Sequence, residues 1–130
     1  MNDLAIIGGG PAGTSAAITA RRRGLSVAIW ERDRFPRDKV CGEFISAESL
    51  PLLREQIPEA LARGAEVQGA EFVPRSGRAY AFNFSSPACG LSRWVMDEAL
   101  WQAARASGAQ TLEGTAVRGV CRANGPSSAW

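Results

Sequence analysis

Histidine is absent from all 130 residues. That absence removes the commonest general base and the commonest metal ligand. Cysteine is scarce: Cys41, Cys89 and Cys121 are odd in number, widely spaced and contain no CxxC. Neither a disulfide framework nor a zinc site is indicated, and a reduced, cytoplasmic setting is expected. An excess of one charge is also missing, since 15 Lys and Arg stand against 13 Asp and Glu for a net +2. So small a surplus gives no argument for nucleic acid. No apolar run approaches a membrane span. The opening "MNDLAIIGGG" has no basic n-region, and glycines break its apolar run, so it does not read as a signal peptide. No internal repeat is visible. What remains is ordinary globular material, 45% hydrophobic and 22% charged, enough for one core and one domain.

What the chain does have is glycine at one place. "LAIIGGGPAGTSAA", Leu4 to Ala17, runs from an apolar stretch into three consecutive glycines, a proline and another glycine. Leu4–Ile7 predicts a strand, Ala12–Arg23 a helix ended by Gly24, and "LSVAIWE" at 25–31 a second buried strand. Strand, glycine turn, helix and strand make a βαβ unit with parallel strands. The arginines at 21–23 read as the solvated end of that helix.

Gly8, Gly10 and Gly13 form GxGxxG in the context that gives the pattern meaning. Gly8 permits the tight turn, Gly10 lets a pyrophosphate approach the backbone, and Gly13 lets helix and sheet close together. The free N–H groups of the helix start, with the positive end of its dipole, then face the phosphates. Ala17 keeps the helix close to the strand. Glu31 stands at the strand end, at the spacing of an acidic residue that meets a ribose. It can accept two ribose hydroxyl bonds and would repel a 2′-phosphate. A solvated strand-end carboxylate is the plainer reading.

Beyond the unit, "RDRFPRDKVCGEF" is a polar, basic loop, long for a plain connection. "SAESLPLLREQI" predicts a short helix capped by Ser49, with Pro51 in its first turn. Residues 65–84 predict a hairpin turning near Ser76 and Gly77. A helix follows with Ser92 as N-cap, an apolar face of Val95, Leu100, Ala103 and Ala104, and Gly108 as the stop. "QTLEGTAVRGVCR" offers one or two further strands. The expected organisation is a domain over 1–122 and an irregular tail over 123–130.

The segments "DLAIIGGGPAG", "AIWERDRFPRDKVCGEF" and "LSRWVMDEALWQAARASGAQ" together resemble FAD-dependent oxidoreductases that include geranylgeranyl reductases. They are also similar to flavin-dependent aromatic hydroxylases and halogenases. The likeness runs from Asp3 to about Val120. It implies an α/β, Rossmann-like FAD-binding fold with a βαβ start and a small β-hairpin, incomplete at the C-terminus. It also implies FAD as cofactor, with NAD(P)H as a possible electron donor. By the resemblance, Ala12 and Gly13 would line the pyrophosphate and Glu31 would hold the adenosine ribose. Cys41 and Gly42 would sit beside the cofactor, Arg93 of the R-x-x-x-D-x-x-L pattern would contact it, and Val117 would lie by the adenine.

Plainer alternatives stand beside these. Cys41 could be a small buried hydrophobe, and Arg93 could simply pair with Asp97 four residues on. Trp94 and Trp101 read as packing, and Arg37 and Lys39 as solvation of the loop. Relatives carry a later "GD" segment and a substrate-covering sheet that nothing after Val120 resembles. The chain is therefore expected to be an N-terminal fragment that binds FAD weakly and turns over nothing by itself. In the full-length enzyme the partner would be a small molecule, with peripheral membrane contact possible and oligomeric state open. The alternatives are an NAD-binding dehydrogenase module and a non-catalytic remnant with an unpaired sheet edge.

Overall fold

The structure, a computed structural model, describes residues 1–121; the expected irregular tail lies outside the described residues. In chain order the elements are β1 (Leu4–Ile7), α1 (Pro11–Arg22), β2 (Val27–Glu31) and β3 (Phe44–Ile45). They continue with α2 (Leu50–Gln56), α3 (Pro58–Leu61), β4 (Ala65–Phe72), β5 (Tyr80–Gly90), α4 (Arg93–Ala106) and β6 (Gln110–Glu113). A mixed α/β architecture with a βαβ start results, as the sequence predicts.

Two three-stranded sheets organise the described residues. In the first, β2 is central and parallel to both neighbours, pairing Leu4 with Val27 on one side and Ala28 with Gln110 on the other. "VAIWE" is buried almost throughout, the continuous apolar reading of a strand covered on both faces. The outer strand β1 alternates half-buried and exposed residues, and Ile7 is 59% exposed. The second sheet is antiparallel, in the order β3-β5-β4. Its hairpin turns at Gly77, whose φ of +81° suits glycine, so the predicted turn is found. Strand β5 runs on to Gly90 and pairs with the two-residue β3. The sequence reading missed β3, because two residues carry no periodicity.

The helix α1 opens with Pro11 at its first position, where a missing N–H costs nothing. It ends at Gly24, φ +83°, as expected. The arginine run is not simply solvated. Arg21 donates through Nη1 to the Leu25 carbonyl at 2.7 Å and through Nε to the Ser107 carbonyl at 3.2 Å, tying the ends of α1 and α4 together. Arg22 pairs with Glu55.

Two helix expectations need correction. Ser49 holds the N-cap position of α2, but its side chain caps nothing. A 3-10 turn over Ala47–Ser49 already leads into the helix and holds Ser49 in helical conformation. Pro58 then divides the segment into α2 and α3. On α4, Ser92 does cap, accepting from the Val95 N–H at 3.4 Å. The buried face is Met96, Asp97, Leu100, Trp101 and Ala104; Val95 and Ala103 lie only at its border. After β6, no second strand forms among the described residues.

Candidate functional site

At the end of β1 the chain turns through the glycines, and each has a different environment. Gly8 takes φ +107°, which side chains rarely adopt. A Cβ on Gly13 would lie 2.0 Å from the Gly8 carbonyl oxygen, so helix and turn close as predicted. Gly9, which the GxGxxG pattern leaves unspecified, is equally confined: its Cβ would meet Trp101 at 2.7 Å and Glu31 at 2.9 Å. Gly10 differs, for nothing lies within 4 Å of a Cβ placed there. It is the N-cap of α1, and no side chain caps the helix. The positive end of α1 is therefore open on the Gly10 side.

Glu31 is no solvated strand-end carboxylate, being 7% exposed. Its Oε2 accepts from the Gly9 N–H at 2.8 Å and from Arg37 Nη2 at 3.2 Å, and its Oε1 accepts from the Asp33 N–H at 2.9 Å. Burial works against its charged form. The two backbone donors and Arg37 outweigh that and hold the carboxyl below its ordinary range. Three of about four acceptor positions are thus taken, which leaves room for one ribose hydroxyl rather than the expected two.

Arg93 forms a bidentate pair with the fully buried Asp97, at 2.6 and 2.7 Å. The Asp97 hydrogen bonds, with a smaller contribution from the Cys41 thiol, raise the Arg93 guanidinium above its usual range against the effect of burial. Cys41 and Arg93 are therefore neighbours. Cys41 is exposed rather than a buried hydrophobe, and Gly42 beside it is exposed too. Trp101 is completely buried and stacks on Phe35 with centroids 4.8 Å apart, whereas Trp94 is 47% exposed.

A hollow of about 300 Å³ brings together Gly8, Glu31 and Val117 with Arg37, Lys39 and Thr115. Ala12 is exposed and lines a second hollow of about 570 Å³ with Pro11, Phe44 and Met96. Gly8 of the turn thus borders the first hollow, and the first residues of α1 border the second.

Sequence reasoning missed Arg37. It is 8% exposed and joins Glu31 to Asp97, its Nη1 3.2 Å from Asp97 Oδ2. Only Lys39 behaves like the loop solvation expected, pairing at 2.6 Å with the half-buried Asp33 and lowering the Asp33 carboxyl. The available signal was Asp97 itself. A carboxylate between Met96 and Leu100 on an apolar helix face must find a buried cation.

The sequence model described as FAD dependent oxidoreductase matches residues 3–70. Conditioned medium factor receptor 1 of Dictyostelium discoideum is 31% identical over 88% of this chain and 26% of its own length. Digeranylgeranylglycerophospholipid reductase of Methanothrix thermoacetophila is 32% identical over 95% of this chain and 32% of its own. The solved structure of a flavin-dependent brominase superposes with a TM-score of 0.74 at 26% identity, covering 85% of this chain and 28% of that one. The chain therefore spans about a third or less of the length of these relatives. With the βαβ cradle in place and over half its sequence matched, the chain belongs to the FAD-dependent oxidoreductase family.

Proposed function

We propose that this chain binds the ADP half of FAD and forms that part of a flavoprotein oxidoreductase. The observation that carries the reading is the open, uncapped start of α1 at Gly10, one residue from the Gly9 N–H that the buried Glu31 holds. The cradle fits a dinucleotide. Backbone N–H groups at Ala12 and Gly13 would face the pyrophosphate, where side chains would obstruct it. Glu31 would accept one ribose hydroxyl, and the hollow at Val117 would take the adenine. Cys41 and Gly42 on the exposed loop, with Arg93 beside Cys41, would border the cofactor's further course. Arg93 already spends two donors on Asp97, so its contact would use the remaining ones.

When bound, FAD supplies the redox chemistry, while the protein binds and orients it. In the longer flavoprotein NAD(P)H would supply electrons, and a small-molecule substrate would be held by parts with no counterpart among these residues. Residues that would discriminate reduction from hydroxylation or halogenation are not among those of the cradle. A cytoplasmic setting with peripheral membrane contact fits this role; no helix among the described residues is long and apolar enough to cross a membrane.

The test is a titration of the 130-residue chain with FAD, ADP and FMN, followed by amide NMR. FAD and ADP are expected to shift the Gly8–Gly13 amides at the same positions, weakly, and FMN to leave them unmoved. No response to millimolar ADP, or an equal response to FMN, defeats the reading.

A further inference from the structure

Four side chains run in an unbroken line from the glycine cradle into α4. Glu31, Arg37, Asp97 and Arg93 alternate in sign and have side-chain exposures of 8%, 8%, 0% and 20%. Their charges cancel, as a buried network requires. The geometry of Arg37 is unusual. Its guanidinium stands over the Phe35 ring, 4.7 Å from the centroid, and Phe35 in turn stacks on Trp101. It donates one hydrogen bond, to Glu31, while Nε and Nη1 are buried without hydrogen-bond partners among the described residues. Leaving buried donors without hydrogen bonds is costly, and the single hydrogen bond to Glu31 is a poor return for it. Position explains the residue better. Among the described residues Arg37 is the only cation paired with both buried carboxylates, and without it Glu31 and Asp97 would lose the charge between them.

We propose that Arg37 is the positioning residue of this site, fixing the direction of Glu31 toward the ribose and locking the Asp97–Arg93 pair to it. The inference rests on the nucleotide reading above. Its consequence is that ribose recognition depends on the loop after β2 being folded, because Arg37 belongs to that loop and acts on the ribose through its hydrogen bond to Glu31. A Glu31 that merely fills space would not depend on Arg37.

The test measures affinities of the full chain for ADP, 2′-deoxy-ADP and 3′-deoxy-ADP by amide NMR. Wild type is expected to favour ADP over at least one deoxy analogue by about tenfold, the worth of a hydrogen bond to a charged group. Arg37→Met should bring that preference to within about twofold. Arg37→Lys, which keeps the charge but not the planar fork, should fall between. Glu31→Gln combined with Arg37→Met should add little to either change alone. An undiminished ribose preference in both Arg37 variants overturns the proposal and leaves nucleotide binding standing. So does a wild type that binds ADP without any preference. Should Arg37→Met fail to fold, Arg37→Lys and Arg37→Gln decide the matter. A wild type blind to ADP defeats the nucleotide reading first.

Discussion

Gly10 and Gly13 should separate stability from binding when each is changed to Ala. At Gly13 the new Cβ would stand 2.0 Å from the Gly8 carbonyl oxygen and 3.2 Å from an Ile6 methyl carbon. The obstacle is backbone, so it cannot swing aside as a side chain would. An overlap of more than 1 Å forces the start of α1 away from the sheet, and the upper end of overpacking costs, about 3 kcal/mol, is expected. For a domain of this size each kcal/mol moves Tm by roughly 3–5 °C, so Gly13→Ala should melt about 10 °C below wild type. At Gly10 a Cβ meets nothing within 4 Å, and φ is −75°, a value any residue adopts. Gly10→Ala should melt within about 2 °C of wild type. Its methyl group instead occupies the approach to the helix N–H groups, and ADP affinity should fall at least about tenfold. Thermal denaturation followed by circular dichroism, with ADP titration of both variants, reads the two quantities independently. Equal melting of Gly13→Ala and wild type would refute the closed-turn reasoning. Unchanged ADP affinity in Gly10→Ala would refute the open-cradle reasoning.

Two further perturbations test the buried network. Glu31 is held below its ordinary carboxyl range in the folded chain, so its contribution to stability is fully present above its unfolded value of about 4.3 and is lost as pH falls through the lower folded value. Urea denaturation should therefore show stability falling below about pH 4.5 more steeply in wild type than in Glu31→Gln, and parallel curves would remove Glu31 from the account. Trp101→Ala removes a fully buried ring stacked on Phe35 and facing Gly9, and should cost about 3–5 kcal/mol in the same assay. A loss under about 1 kcal/mol would mean that Trp101 does not support the glycine turn.

The sequence determined the local events of this protein. An apolar run, a glycine turn with Pro11 at the helix start, Gly24 at its end and a second apolar run form strand, helix and parallel strand, because each signal acts within a few residues. Ser92, Gly77 and Gly108 likewise mark their cap and turns, through hydrogen bonds and positive φ that neighbouring residues supply. Glu31 at the end of β2 could be singled out by spacing alone. Tertiary structure decided what crosses the chain. That Gly9 has no room for a side chain follows from Trp101, ninety-two positions away in sequence. The burial of Arg37 follows from Glu31 and Asp97 arriving on either side of it, one from the end of β2 and one from α4. A two-residue strand such as β3 exists only because β5 is there to pair with it. Charges separated along the chain attract over a few ångströms once packing excludes water, and no pattern of neighbouring residues encodes that meeting.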